Sequence, residues 1–332
     1  MNFFVSWYWG DARYPLYDDD CSLLVSITSV PLYWTIHALE KLPRRLLIDS
    51  GGFRLIVTDQ IPQPLHTSPS LDTSLAFEAM KLSEQGLSRK IMQLSPKKVL
   101  ERQLMLLGGE KISTIISALD CPIVDPTLSW QEKDQCITQT IAFAYELKHL
   151  LEQQSVTDYV TPLAIIQGYD VPSLKYCAYE LASIGFPLYG IGSMASLKQH
   201  DLIIERVEAV ASIVGIEKLH IFGVSLIETV QALRTMGIHS VDSARPAKAA
   251  AYNEILYSDP YRRFGILDFP LKAEPLKGSI PRMRRLSHPL PCDCPICNID
   301  SRRIMGIGKR ANIRDRGVHN YFHLKRLCCG FS

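Results

Sequence analysis

The chain has 332 residues, of which 47% are hydrophobic and 21% charged. This length allows one large domain with an appendage or two ordinary domains, and the apolar content excludes a chain that is disordered throughout. No apolar run reaches the roughly 20 residues that a membrane-spanning helix needs, and the first residues lack the pattern of a secretory signal, so we expect a cytoplasmic protein with no membrane partner.

The net charge of +2 combines two unlike segments of the chain. Residues 271–332 hold 13 Lys and Arg against four Asp and Glu, which leaves 23 basic against 30 acidic side chains in residues 1–270. We therefore predict two units, an acidic body over 1–270 and a basic module over 271–332. This asymmetry suggests a polyanionic partner, although an ordinary solvated basic surface would give the same charge.

Short β-branched runs alternate with longer amphipathic stretches through most of the body. The predicted strands are Ser22–Ile27, Arg45–Asp49, Ser113–Leu119, Pro162–Gln167, Pro187–Gly192, Leu219–Val224 and His239–Asp242. The predicted helices include Ser129–Leu151, Ser173–Ile184, Leu197–Val214 and Leu226–Met236, and the last three are each followed by a glycine suited to a helix cap. Repeated βα units of this spacing favour a (β/α)8 TIM barrel, with an open doubly wound sheet as the alternative.

Polar residues stand where the predicted strands end, which is where a barrel places its chemistry. The successive strand ends carry Asp49-Ser50-Gly51-Gly52-Phe53, Asp120, Gln167-Gly168, Gly192-Ser193 and Asp242. A single Asp after a strand is usually a helix N-cap, but three on one rim favour an active site. Two carboxylates across a pocket suit attack and proton transfer at a glycosidic carbon, and a third with an amide suits the edge of a planar base.

Two groups of residues have a structural interpretation. The aromatic side chains of Phe3, Phe4, Trp7, Tyr8 and Trp9 could stack on nucleic-acid bases, but core or barrel-floor packing is the better interpretation. His220, like His37, His149 and His200, stands in apolar or helical surroundings, and we interpret it as a packed or surface histidine.

A compact cysteine motif predicts a metal site in the basic module. Cys292, Cys294 and Cys297 form Cys-x-Cys-x-x-Cys, a spacing that suits three thiolate ligands around one ion. The fourth ligand must come from downstream, and the candidates are His319, His323, Cys328 and Cys329. Three sulfurs and one nitrogen would form a tetrahedral structural zinc site without an open position for water. His319 begins a predicted helix on which His323 lies one turn later.

Taken together, these motifs resemble those of the tRNA-guanine transglycosylase family. Asp49 to Phe53 resembles its Asp-Ser-Gly-Gly-Phe signature, Ile166-Gln167-Gly168 resembles its Val-Gln-Gly, and the cysteine motif followed by His319-Asn320 resembles its zinc motif. The resemblance implies a barrel with a zinc subdomain that exchanges a guanine in a polynucleotide for a 7-deazaguanine. It also implies His319 as the fourth zinc ligand, zinc as the cofactor, and a homodimer or a partner protein.

The resemblance assigns a role to each rim residue. Asp242 would be the nucleophile at C1′ that forms a covalent glycosyl-enzyme, and Asp49 would transfer protons near the departing and incoming bases. Asp120, Gln167 and the Gly192 backbone would hydrogen-bond the base. The remaining substrate-binding positions carried over are Ser50, Gly51, Gly52, Phe53, Gly168 and Ser193.

The sequence departs from the family where tRNA-modifying members contact the anticodon loop. Asp242 is followed by Ser243-Ala244-Arg245-Pro246 instead of Leu-Pro-Thr-Arg, an aromatic segment replaces the usual Gly-rich N-terminal one, and the closing helix after His319 looks short. This pattern resembles the DpdA-type branch, which places 7-deazaguanines in DNA. We therefore expect DNA and 7-cyano-7-deazaguanine as substrates, with tRNA, or a catalytically silent nucleic-acid-binding subunit, as alternatives.

Overall fold

Eight parallel strands pair in sequence order and close into a barrel, which confirms the predicted fold class. The computed structural model describes residues 1–52, 95–266 and 284–330, apart from positions 124, 126, 155, 157, 195, 196, 198 and 225. The barrel strands are β1 (Asn2–Trp7), β2 (Ser22–Ser26), β3 (Arg45–Asp49), β4 (Thr114–Ser117), β5 (Val160–Ile166), β6 (Leu188–Ile191), β7 (Leu219–Ile221) and β8 (Ser240–Ser243). β8 closes the barrel on β1, with Asp242 opposite Phe4.

Strand β1 is the element that the sequence interpretation missed. The seven predicted strands overlap β2 to β8, and the eighth is the aromatic N-terminal segment, which was interpreted only as packing. The packing role and the strand are compatible, because the side chains of β1 point alternately to two faces of the barrel and both faces are buried. Phe4 points into the barrel, where it packs with Leu24 and Leu47, whereas Phe3 joins the outer core and stacks on Tyr321.

The helices cover the outside of the barrel, and the four that the sequence predicted lie within three residues of their predicted bounds. The helices are α1 (Pro96–Leu106), α2 (Trp130–Glu152), α3 (Val171–Ile184), α4 (His200–Val214), α5 (Ile227–Met236) and α6 (Arg245–Ala251). Capping boxes at Ser129 and Asp170 fix the starts of α2 and α3. Gly185 and Gly237 end α3 and α5 in the left-handed conformation, as predicted. No helix within the described ranges is long and apolar enough to cross a membrane.

A small sheet and two helices form the C-terminal part of the chain. The sheet contains β9 (Glu254–Ser258), β10 (Tyr261–Ile266) and β11 (Arg285–Leu286) in the order β11-β10-β9, and the helices are α7 (Cys297–Asp300) and α8 (Arg310–Cys329). The predicted boundary between residues 270 and 271 lies outside the described residues, in the connection from β10 to β11. The expectation of a helix that begins at His319 was wrong, because α8 has 20 residues and His319 lies near its middle.

Helix α8 joins the C-terminal part firmly to the barrel. The Tyr321 hydroxyl donates to Asp18 Oδ2 at 2.5 Å, and Lys325 Nζ lies 2.6 Å from the same atom. Arg316 is fully buried, and its guanidinium donates to the backbone carbonyls of Ala250, Ile304 and Gly306 and to the Asn253 side chain. Because buried polar groups must be paired, these contacts fix α8 against α6 and against the loop that follows β1 and precedes β2.

Candidate active site and metal centre

The carboxyl ends of the barrel strands bring the predicted polar residues together on one rim. Asp49 ends β3, Gln167 follows β5, Asp242 lies in β8, and Asp120 follows β4 by three residues. Gln167 Nε2 donates to Asp120 Oδ2 at 2.6 Å, and the charge of Asp49 acts on Asp120 while that of Asp242 acts on Asp49. The three carboxylates therefore share one pocket.

Asp242 is held at both carboxylate oxygens and is only 5% exposed. The Ser6 hydroxyl donates to Oδ2 at 2.6 Å, and the Gly223 N–H donates to Oδ1 at 2.8 Å. Ser6 and Gly223 come from β1 and from the turn after β7, on either side of β8. Sequence reasoning missed both, because only the strand register places them against Asp242. The result is a carboxylate in one fixed orientation, which suits a nucleophile.

Asp49 is partly buried beside Asp242, and its pKa lies above the ordinary value for an aspartate. Burial is the largest cause, the hydrogen bonds from Ser26 and from the Gly51 N–H act in the opposite direction, and the negative charge of Asp242 raises the pKa again. Gly51 has φ +72°, and a side chain there would meet Thr28 at 2.6 Å, so glycine is required for this turn. A carboxyl with a raised pKa next to a fixed carboxylate suits proton transfer.

Asp120 and Gln167 form a connected polar edge with Ser193. The Ser193 hydroxyl donates to Gln167 Oε1 at 2.8 Å, and the fully buried Ser50 approaches Asp120 Oδ1 with its hydroxyl at 3.5 Å. Burial, and then the charge of Asp49, raise the pKa of Asp120 to about 7, while the Gln167 amide opposes the rise. The edge therefore offers a carboxyl that gains or loses a proton near neutral pH, beside an amide.

Two of the predicted glycines bring the backbone close to the side chains of Asp120 and Gln167. A Cβ on Gly52 would lie 2.4 Å from Asp120 Oδ1, and one on Gly192 would lie 2.2 Å from Gln167 Nε2. The Gly192 N–H donates to the Ile166 carbonyl at 3.0 Å within the strand ladder. Gly168 packs against the start of α3, where a Cβ would meet the Leu174 N at 2.6 Å. The last signature residue, Phe53, lies outside the described residues.

The predicted metal ligands converge at a second position, between α8 and the segment before α7. The Sγ atoms of Cys292, Cys294 and Cys297 lie 3.6, 3.4 and 3.5 Å from His319 Nδ1. In a tetrahedral site with Zn–S bonds of about 2.3 Å and Zn–N bonds of about 2.0 Å, sulfur and nitrogen are separated by about 3.5 Å. The four ligand atoms thus enclose a position of the size of zinc, which confirms the predicted set and its fourth ligand, His319.

The neighbouring polar groups explain why His319, and not His323, completes the set. His319 Nε2 donates to the Leu256 carbonyl at 2.9 Å, so Nδ1 is left without a proton and faces the three sulfurs. His323 Nδ1 accepts from the Ser258 N–H at 3.1 Å, so its Nε2 carries the proton and donates to Cys292 Sγ at 3.2 Å. His323 therefore supports a ligand, and neither Cys328 nor Cys329 belongs to the cluster.

A basic group lies near the active-site rim at the start of α8. Lys309, Arg310 and Arg314 are exposed, and Arg314 Nε donates to the Gly10 carbonyl at 3.0 Å in the loop after β1. The guanidinium of Arg310 also approaches Gly10. Because β1 carries Ser6 next to Asp242, the basic module contributes positive charge on the same side of the barrel as the carboxylates.

Comparison with known proteins gives a consistent result over most of the chain. A family model described as queuine tRNA-ribosyltransferase matches residues 32–331. Curated queuine tRNA-ribosyltransferases of Thermotoga petrophila and Thermotoga maritima are 25% identical to the chain over 233 residues, and each alignment covers 68% of this chain. The match spans 56% of the length of each of these relatives.

The two histidines at the metal centre should respond differently to substitution. Replacement His319→Ala removes a ligand, so the purified protein should contain little zinc and unfold at a lower temperature. Replacement His323→Ala leaves four ligands and should weaken zinc affinity by about 10- to 100-fold, which is the usual effect of losing a supporting hydrogen bond. Zinc content and a chelator competition measure both effects. Full zinc retention in His319→Ala, with loss in His323→Ala, would contradict the assignment.

Proposed function

Because this chain belongs to the tRNA-guanine transglycosylase family, whose model is described as queuine tRNA-ribosyltransferase, we propose that it exchanges a guanine within a polynucleotide for a 7-deazaguanine. The observation that carries the proposal is the Asp242 carboxylate, held at both oxygens beside Asp49, whose pKa is raised. Together the two residues supply a nucleophile and a proton carrier in one pocket. An enzyme of this kind is a pentosyltransferase.

The proposed reaction has two halves that use the same carboxylates. Asp242 bonds to C1′ of the target nucleotide as the bond from C1′ to guanine breaks, and the electron pair of that bond leaves with guanine. Asp49 gives a proton to the departing base and takes one from the incoming base, which then displaces Asp242. Two displacements at one carbon preserve its configuration, and no cofactor takes part in either step.

The polar edge of the pocket would recognise the base. An ionised Asp120 can accept the two neighbouring N–H groups of guanine, and Gln167 can donate to its carbonyl oxygen. Because Gln167 now donates to Asp120, an entering base replaces this contact with its own. Gly52 and Gly192 let the side chains of Asp120 and Gln167 lie close against the backbone, and the Gly192 backbone borders the same edge.

DNA is the proposed polymer, and 7-cyano-7-deazaguanine is the proposed incoming base. In tRNA-modifying members, the segment after the nucleophile contacts the anticodon loop. Here it enters helix α6, whose Pro246 and Ala250 carbonyls accept from Asn320 and Arg316 of α8. Its residues Ser243-Ala244-Arg245-Pro246 also differ from the Leu-Pro-Thr-Arg of tRNA-modifying members, and this difference supports the DNA-modifying branch. The curated relatives favour tRNA as the second candidate.

The zinc centre and the basic group would have supporting roles. A zinc ion held by Cys292, Cys294, Cys297 and His319 would join α7 and the segment before it to α8, and the same helix carries Lys309, Arg310 and Arg314 at its start. Phosphate contacts from such residues position a nucleic acid without reading its sequence. The target base must leave its stack to reach Asp242, which costs a few kcal/mol and is least costly in a single strand.

Loss of the proposed nucleophile should abolish base exchange while the fold stays intact. Asp242→Ala should lower incorporation of labelled 7-cyano-7-deazaguanine by about a thousandfold or more, because the variant lacks the carboxylate that attacks C1′. The assay offers duplex DNA, single-stranded DNA and bulk tRNA in parallel. The matched control is Asp158→Ala, which removes an exposed aspartate and should leave incorporation unchanged.

The outcomes of this assay separate the candidates. Label that enters DNA, and only with Asp242 present, supports the proposal. Label that enters only tRNA would overturn the polymer assignment but keep the chemistry. Turnover like that of the unsubstituted protein in Asp242→Ala would overturn the nucleophile. Tight nucleic-acid binding with no incorporation and no covalent adduct would favour a silent binding subunit.

Binding of free guanine should depend on pH through Asp120. The pKa of this carboxyl is raised to about 7, and guanine donates two hydrogens to the ionised form, so binding must release the proton at lower pH. Affinity should therefore fall by about tenfold for each pH unit below 7 and level off above it. Calorimetry over a range of pH checks this. Asp120→Asn should bind weakly at every pH, and a pH-independent affinity in the unsubstituted protein would contradict the assignment.

A further inference from the structure

The imidazole of His220 lies inside the barrel, among side chains that are mostly apolar. The interior side chains below the rim are Phe4, Leu24, Leu47, Ile115, Leu163, Ile165, Leu188 and Phe222. His220 is fully buried among them, with its ring edge-to-face against Phe222 at 4.4 Å and Phe4 at 6.0 Å between centroids. A buried polar ring in such a layer needs a partner, since leaving it unpaired is costly.

The two ring nitrogens of His220 face different groups. Nδ1 lies 2.8 Å from the Ser240 hydroxyl, and that hydroxyl lies 2.9 Å from His239 Nδ1. Nε2 lies 3.4 Å from Asp242 Oδ1, a contact that does not yet have hydrogen-bond geometry, and it has no hydrogen-bond partner in the described part of the chain. A bare Nε2 would turn its lone pair towards a carboxylate, which is repulsive. The Ser240 hydroxyl, which can donate to Nδ1 while it accepts from His239, instead favours the form with hydrogen on Nε2.

Strand register determines which carboxylate oxygen each neighbour meets. His220 is opposite Ser240, two residues before Asp242, so it reaches the carboxylate from below. Ser6 is two residues beyond Phe4, the residue opposite Asp242, so it lies on the rim side. Oδ1 thus lies near the Gly223 N–H and His220. Among the described residues, Oδ2 has only the Ser6 hydroxyl as a hydrogen-bond partner, and that hydroxyl can rotate away.

We propose that His220 is a positioning residue that donates from Nε2 to Asp242 Oδ1 and thereby presents Oδ2 as the oxygen that bonds to C1′. This inference rests on the proposed function. In the first half-reaction, the Oδ2–C1′ bond forms as the bond from C1′ to guanine breaks, and the electron pair leaves with guanine. Oδ1 then becomes the carbonyl oxygen of the ester and keeps its two donors.

The second half-reaction is where the His220 contact has the larger effect. The incoming base attacks C1′, the Oδ2–C1′ bond breaks, and its electron pair returns to Asp242. Negative charge reappears on the carboxylate and is shared with Oδ1, where two N–H donors stabilise it. Loss of one donor disfavours the free carboxylate relative to the ester. The covalent intermediate should therefore accumulate when His220 cannot donate.

The test compares His220→Phe, which matches the apolar neighbours and cannot donate, with His220→Gln, whose amide can place an N–H near the position of Nε2. His220→Phe should lower turnover by about tenfold or more, the cost of a hydrogen bond to a charged group, and raise the fraction of protein trapped as a covalent adduct on a denaturing gel. His220→Gln should restore most of the turnover and reduce the adduct. The exposed control His149→Gln should behave like the unsubstituted protein.

A purely structural role for His220 predicts a different result. A variant that only misfolds would lose turnover and covalent adduct in the same proportion. That result in His220→Phe would overturn the proposal. A loss of turnover in His220→Gln as large as that in His220→Phe would also overturn it. Nitrogen-15 NMR of the free protein tests the contact without any substrate. We expect hydrogen on Nε2 of His220 and a shift of that signal in Asp242→Asn.

The NMR readout also separates this inference from the proposed function. If the unsubstituted protein forms no adduct and incorporates no base, the proposed function fails, and the NMR result alone decides whether His220 contacts Asp242. A hydrogen on Nδ1 of His220 would overturn the inference even in an active enzyme. So would a His220 chemical shift that is unchanged in Asp242→Asn.

Discussion

Burial of three carboxylates at one end of the barrel is the constraint on which the rest of the site depends. The charge of Asp242 raises the pKa of Asp49, and the charge of Asp49 raises the pKa of Asp120, because burial and like charge both disfavour ionisation. The chain responds by giving Asp242 neutral donors at both oxygens while Asp49 and Asp120 have raised pKa values. Asp242 is thereby suited to attack a carbon, Asp120 can exchange a proton near neutral pH, and Asp49 holds its proton more tightly than an ordinary aspartate.

Helix α8 connects the C-terminal module to the barrel near the same rim. His319, one of the four metal ligands, lies in the middle of α8. The buried Arg316 connects the helix to α6, and Tyr321 and Lys325 connect it to the loop before β2. The first turn of the helix then has little freedom, and its basic residues remain beside the loop after β1. The metal ligands therefore connect to the rim through helix α8, whose position they help to fix.

The barrel and most of the rim residues could be predicted from the sequence, whereas features that depend on three-dimensional contacts could not. Asp49, Asp120, Gln167 and Asp242 were found because a barrel places strand ends on one rim, and the cysteines because three thiolates at that spacing fit one ion. Strand β1 was missed because its aromatic residues are buried on both faces. Strand register places Ser6 and Gly223 against Asp242 and orients His220, and burial raises the pKa of Asp120. A local sequence pattern reveals neither the register nor the burial.

Mass spectrometry of the protein after incubation with guanine-containing DNA, without an incoming base, tests the central claim most directly. After digestion of the nucleic acid and the protein, the account predicts a deoxyribosyl-containing mass on the peptide that holds Asp242, fragmenting to that residue. Incubation with tRNA gives the matched measurement, because a ribosyl adduct is heavier by one oxygen atom. An unmodified Asp242 peptide with both polymers, or an adduct on another residue, would contradict the account.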